Sequence, residues 1–371
     1  MPNGFSRRNF LHFAAASALA CPGATRLNAQ QPPTPALPLP PAPIVPTNFR
    51  STVSLVRGED RRKLIYEALA GIDDELRPRL KRKKYVLIKP NLTSPTVQLA
   101  STHPDTLRGI LDYLAPRFKG PVVIAEAASA DTMVAYENFK YNQVVSEFRS
   151  HKVSLIDLNL EGKYVAMPVI DSNVHVAQAR IAARLVDPDA FILCAAMPKT
   201  HESMIMTAAV KNMVMGAPLH SPPKETPAWT DKRKFHIRGY QQHNYNMLLG
   251  AQKLAPYWGA AVVDGFEGME GNGPISGTAA GSRMAIASRD YVAADRVSVE
   301  AMGIEPKWIG YLQYCGEVGI GNYDMAKIDV RGETIASVKR NYQMSPNLDR
   351  EIQWMGPLKP DSATEQQRRT G

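Results

Sequence analysis

From Thr52 onward, short apolar runs alternate with helix-like segments, and that alternation restricts the chain to few architectures. Val53 to Val56 precedes a helix predicted from about Arg61 to Leu76, and Tyr85 to Lys89 precedes one from about His103 to Ala115. Val122 to Ala125 precedes a helix near Ala135 to Arg149, and Val153 to Leu158 reads as a further strand. Strands and helices in this order predict an α/β fold: a doubly wound, mostly parallel sheet with helices on both faces. Further along, Ala260 to Asp264 and Met284 to Ala287 read as strands, Tyr291 to Met302 and Lys307 to Glu317 as helices, and Lys327 to Val330 as an edge strand. Tyr164 to Val176 looks like an extended, hairpin-like arm, and Val176 to Leu185 has a helical composition.

The stretch Phe191 to Gly216 concentrates the polar chemistry. Phe191 to Ala196 is a buried strand, Met197-Pro198 a turn, and a helix is predicted to follow, carrying Lys199, His201, Glu202, Lys211 and Asn212 among apolar residues. Ligands of open α/β sheets sit outside the carboxyl ends of strands, so this is the expected centre of a site. In a helix, His201 and Asn212 would return to within about 20° of one face, roughly 16 Å apart along the axis, with Ala208 between them.

Other polar groups close apolar runs in the same way. Lys89-Pro90-Asn91 follows Tyr85 to Ile88, so Lys89 and Asn91 are predicted to reach the crevice. Thr102-His103-Pro104-Asp105 reads as a helix start with Thr102 as N-cap and Asp105 at the capping-box position. The glycine-rich loop Asp264 to Pro274 carries Asp264, Glu267 and Glu270, whose oxygens suit a divalent cation; the competing reading is a turn with solvated acids. Asp290 is placed to cap the helix after it, and Asp295, inside an apolar helix, needs a partner, for which a lysine would serve. Ala217 to Asn246 is long, basic and aperiodic, with Asn244 placed to cap a helix through Leu254. His220, His236 and His243 match no zinc spacing and are read as surface residues.

The amino-terminal part reads as targeting. Ser6-Arg7-Arg8-Asn9-Phe10-Leu11 followed by a short alanine-rich run matches a twin-arginine export signal, with residues 1–29 removed at Leu27-Asn28-Ala29. The expected location is therefore periplasmic or exported; the alternative is a lipoprotein anchored at Cys21. Residues 30–50 form a proline-rich spacer, 51–335 the α/β domain, and 336–371 a polar tail predicted to fray after Asn341. The formal charge of +9 falls to +6 without Arg7, Arg8 and Arg26 (9 − 3), an excess that fits an anionic ligand or a polyanionic surface without choosing between them. Outside the signal only Cys194 and Cys315 remain, without a C-x-x-C pair, so four thiolates for an iron-sulfur cluster or zinc site are not present in this chain. No nucleic-acid recognition motif accompanies the charge.

With Lys89-Pro90-Asn91, Pro198-Lys199-Thr200-His201, Lys211-Asn212, Asp264-Gly265, Met269 to Pro274 and Ser288 to Asp295 in view, the chain resembles the domain-of-unknown-function 362 (DUF362) family from roughly Val53 to Gly332. That family has members fused to ferredoxin-like modules and is described as iron-sulfur or redox related. The resemblance implies a shared site, while the missing cysteines mean that an intrinsic iron-sulfur cluster does not carry over.

Together these readings lead to an exported enzyme of unassigned reaction acting on a small anionic molecule. His201 and Lys199 are the catalytic candidates, and Lys89, Asn91, Lys211 and Asn212 the binding ones. Asp264, Glu267 and Glu270 are the candidate ligands of a divalent cation, supported by Asp290 and Asp295. The alternative is a non-catalytic periplasmic binding or redox-partner protein, docking an iron-sulfur protein through the basic loop Lys224 to Arg238.

Overall fold

In a computed structural model, residues 49–356 are described, apart from 150–151, 223 and 237–239. The export signal, the spacer up to residue 48 and the last fifteen residues of the tail lie outside the described residues.

The strands follow in chain order as β1 (Ser51–Arg57), β2 (Tyr85–Lys89), β3 (Val122–Glu126), β4 (Val153–Asp157), β5 (Tyr164–Ile170), β6 (Val176–Ala182) and β7 (Ala190–Ala196). After them come β8 (Lys199–His201), β9 (Ile205–Thr207), β10 (Trp258–Gly265), β11 (Gly268–Glu270), β12 (Thr278–Ala280), β13 (Met284–Ser288) and β14 (Ile328–Gly332). An 8-stranded sheet runs β14-β1-β13-β10-β7-β2-β3-β4. The block β10-β7-β2-β3-β4 is parallel throughout, and β13 runs antiparallel to both β1 and β10. The mostly parallel α/β sheet expected from the alternation is therefore present.

Side chains that alternate along each strand divide into two cores. Val86, Ile88, Ile124, Leu193 and Ala195 pack against the helices Arg61–Ala70, Asp73–Leu80, Pro104–Leu114, Thr132–Asn138 and Tyr141–Glu147. Leu87, Val123, Ala125, Ile192, Cys194 and Ala196 face the helices Ala209–Gly216, Tyr240–Leu254, Tyr291–Ala301 and Gly310–Glu317. Each fully buried Leu, Ile or Val contributes roughly 1.5–3 kcal/mol relative to exposure, so the continuous apolar runs are what hold both layers to the sheet.

Several local expectations are corrected. The helix expected from Arg61 to Leu76 breaks into two at Gly71, where a Cβ would strike the Ser54 hydroxyl on the sheet. Of Val176 to Leu185, only the last three residues are helical, in a short 3-10 turn: β6 pairs with β5 in an antiparallel hairpin, Val165 opposite Ile181 and Met167 opposite Ala179, and these residues share the buried face. A cross-strand partner decided what an alanine-rich composition left undecided. The helix start near residue 103 is capped by the His103 ring, which accepts from Asp105 N, and Thr102 has a different task. The helix Tyr240–Leu254 starts before Asn244, whose Oδ1 accepts from Tyr311 N. Among the described residues after Asn341, where fraying was expected, Tyr342, Leu348 and Ile352 join the core.

The largest correction concerns the stretch after β7. Lys199–His201 is a strand, not a helix, because it pairs along its length with β9, Lys199 opposite Thr207 and His201 opposite Ile205, and meets β11 and the loop after it on its other edge. Met269 N donates to Pro198 O, the Thr200 hydroxyl to Gly271 O, and Glu202 N to Gly273 O. Gly273 is required at that contact, since a Cβ there would run into the Thr200 carbonyl. The chain then reverses into β9 and enters a helix only at Ala209. Ile205 at this reversal has φ 67°, a left-handed conformation unusual for a β-branched residue, and its N–H is held by the Glu351 carboxylate at 2.6 Å.

Candidate functional site

Within the parallel block the chain lays down β2, β3 and β4 in one direction, then returns to place β7 and β10 on the other side of β2. The strand order therefore reverses between β2 and β7, and a crevice opens at their carboxyl ends. Lys89 ends β2, Glu126 ends β3, and Lys199 follows β7.

These side chains form one buried polar chain. Lys89 Nζ donates to Glu126 Oε2 at 2.9 Å and to Asn212 Oδ1 at 3.0 Å. Asn91 Nδ2 donates to the same Asn212 oxygen at 3.2 Å, and Asn91 Oδ1 accepts from Lys199 Nζ at 2.6 Å. Lys199 also donates to Thr93 Oγ1 and Ala100 O, so three acceptors surround its three N–H groups. Thr102 ties this network to the sheet, its hydroxyl accepting from Asn91 N and donating to Ala195 O at the end of β7. Gly216 gives the Lys89 ammonium room, for a Cβ there would collide with Nζ and Cε.

Lys211 and Asn212 sit near the start of the helix Ala209–Gly216, whose first amides are capped from a distance. Asp295 accepts from Ala209 N at 2.7 Å and Val210 N at 2.9 Å. The expected lysine partner of Asp295 is thus replaced by two backbone donors, which a helix amino terminus leaves free. Burial raises the Asp295 carboxyl to about 7, with the two amides opposing. Asp290 caps the helix Tyr291–Ala301 through Val292 N and Ala293 N, and accepts from Ser51 and Asn322 N.

His201 and Asn212 do not share a helix face, since His201 lies in β8; His201 instead meets Lys211 across the reversal, with Lys211 Nζ 3.0 Å from His201 Nε2. Ser203 N donates to His201 Nδ1 at 3.0 Å. Burial, followed by the nearby Lys211, lowers the His201 pKa well below its usual value.

Above this pair lies a cleft of about 540 Å³, lined by Asn91, Glu126, His201, Lys211 and Asn212 and walled by Trp229, Lys232, Arg233 and His236. Lys89 and Lys199 lie beneath its floor, each 0% exposed. The wall belongs to the basic segment expected to be irregular, which is anchored by Asp231: its carboxylate accepts from Arg180 N and Nε, and Lys234 pairs with it at 2.9 Å. The Arg180 guanidinium lies 3.2 Å from the centre of the Trp229 ring. The reading of its histidines as surface groups is corrected for His243, which is buried, and for His220, whose Nε2 lies 3.1 Å from Ala128 O. Burial pushes Lys199, Lys211 and Lys232 each down to about 7, with Lys211 adding to the effect on Lys199.

The carboxylates of the glycine loop are held by arginines where a cation was expected. Arg61 lies 3.3 Å from Asp264 and 3.6 Å from Glu267, and Asp264 also accepts from the Thr106 hydroxyl. Glu270 pairs with Arg340 and accepts from Gln343 N. Among the described residues, no three His, Cys, Asp or Glu side chains group in a way that could hold a metal ion. Cys194 and Cys315 are single, buried thiols, and Asn212 Nδ2 donates to Cys194 Sγ. The loop also supplies β11, whose Met269 pairs with Lys199.

Sequence reasoning missed Glu126, Thr102 and Lys232. Glu126 carried a signal of the same kind as Lys89, a charge closing an apolar strand. Lys232 carried none, because its burial depends on a wall built from distant segments.

No curated protein matches the chain. Among solved structures, a structural-genomics crystal structure of a protein from Thermotoga maritima aligns with a TM-score of 0.37 and 11% identity, over 56% of this chain. The aligned part spans about half, 51%, of that protein, and a likeness this slight carries no argument. The family described as "Domain of unknown function (DUF362)" matches residues 86–300. That match takes in β2, β3, β7 and the helix of Lys211, the elements that build the crevice, and covers more than half of the sequence: the chain belongs to the DUF362 family.

Proposed function

We propose that this chain is an exported enzyme that binds a small anionic molecule in the cleft at the β2–β7 switch point, with His201 and Lys211 as the reacting pair. One observation carries the reading. Lys199 and Lys232 are buried beside one cleft with no carboxylate within ion-pair distance of either among the described residues, while Glu126 is already matched by Lys89. Uncompensated buried ammonium groups are costly, and an anion entering the cleft supplies the missing charge.

Isothermal titration with oxalate and with inorganic phosphate tests this. Saturable binding is expected, about tenfold or more weaker in Lys232→Met, because a hydrogen bond to a charged group is worth roughly 1.5–3 kcal/mol. The protonated lysines hold the anion, and Lys232 titrates at about 7, so affinity is full below that pH and falls as pH rises through it. The anion-free protein shows the opposite trend. A lysine at about 7 when folded and 10.5 when unfolded makes folding more favourable as pH rises across that window. Absence of binding by either anion at pH 6 would sink the reading.

Export is supported by Ser6-Arg7-Arg8-Asn9-Phe10-Leu11 and the short apolar run after it. Disabling twin-arginine transport in the producing cell is expected to leave the chain cytoplasmic with its signal attached. Unchanged periplasmic recovery would exclude that route.

A further inference from the structure

The geometry points to Lys211 as an uncharged amine that forms an iminium with a carbonyl-bearing small anion, such as a 2-oxo acid; this rests on the anion-binding reading of the same cleft. The argument begins at Ser203, whose backbone N–H can only donate, so His201 Nδ1 must present its lone pair. In a neutral imidazole the hydrogen then sits on Nε2, the atom that faces Lys211 Nζ at 3.0 Å. Nε2–H must donate, so Nζ must accept, and only a free amine has the lone pair to do so. An ammonium at that position would leave two N–H groups pointing at each other.

The surroundings agree. Lys199 adds positive charge nearby, His236 and His243 are held neutral by burial and supply no counter-charge, and Glu351 and Glu202 act from farther than ion-pair distance. Lys199 differs from Lys211, since three acceptors around its nitrogen favour the ammonium form. Desolvated lysine beside another cationic group is the setting that activates an amine nucleophile. Lys211 lines the cleft, and Lys232 and Arg233 stand on its wall, where they can take the substrate's negative charge.

The step balances without a redox partner. The Nζ lone pair forms the C–N bond as the carbonyl π pair moves to oxygen. The two amine hydrogens then leave with that oxygen as water, and the imine takes one proton from solvent to become the iminium. Nothing is oxidised or reduced.

Glyoxylate with cyanoborohydride at pH 7.5, followed by peptide mass mapping, tests the inference on the wild-type protein, with oxalate titrated separately. Lys211 is expected to be carboxymethylated roughly a hundredfold faster than exposed Lys63, since an ordinary lysine is only about 0.1% neutral at that pH, and oxalate is expected to slow this labelling. Oxalate binding with labelling of Lys211 no faster than Lys63 would overturn the iminium and leave the anion site standing. Absence of both would overturn both.

Discussion

Glu126→Ala is expected to destabilise the fold by about 3–5 kcal/mol, read as a lower urea midpoint at unchanged slope. The Lys89 and Glu126 side chains are 0% and 3% exposed and lie 2.9 Å apart. Removing the carboxylate strands a buried ammonium whose remaining acceptors, Pro90 O and Asn212 Oδ1, carry no charge. It also orphans Ala127 N, which donates to Glu126 Oε1. The double variant Lys89→Met with Glu126→Gln is expected to lose less than Glu126→Ala alone, because it removes the uncompensated charge together with its partner. A loss below about 1 kcal/mol in the single variant would mean that the pair behaves as a solvated surface bridge.

The second large effect is at Asp295. Asp295→Ala leaves Ala209 N and Val210 N without acceptors in a buried setting, at about 1–3 kcal/mol each. Since that helix carries Lys211 and Asn212, the anion titration should weaken together with the melting temperature. A variant that loses stability yet binds oxalate as well as the wild type would show that the cap does not position Lys211. The pH dependence has a definite sign. A carboxyl raised from 3.8 to about 7 contributes stability that is full below 3.8 and lost as pH rises through 7. Glu351, raised to about 8 by burial, acts in the same direction. Asp295→Asn should therefore reduce, without abolishing, the loss of stability between pH 4 and 7 in guanidinium titrations.

Parts of this site were legible in sequence because they depend on position along a strand. A lysine or glutamate closing an apolar run must emerge at the sheet's edge, and in a parallel sheet that edge is the ligand side. Lys89 was read that way, and Glu126, in the same position one strand later, could have been. Asn91 and Asn212 were found as polar residues beside these ends, but their work is to join lysines: each amide is occupied by protein partners. Asp295 was recognised as needing a partner, while the partner itself came from a helix 85 residues away in sequence. The histidines and Lys232 of the basic segment could not be placed, since nothing local distinguishes a buried lysine in a loop from a solvated one.

Apolar periodicity and strand-end charges alone determined the layer order, the parallel sheet and the side of that sheet where polar chemistry gathers, because these follow from local pattern and from the handedness of βα connections. Tertiary structure decided the form of Phe191 to Gly216. Pairing with β9 and β11 turned a helix-like segment into a strand, and the reversal between β8 and β9 brought His201 within 3.0 Å of Lys211, two residues that a continuous helix would have held apart. It also decided which lysines remain ordinary cations, because burial and hydrogen-bond partners set the charge of an amine, and both were supplied here by residues remote in the chain.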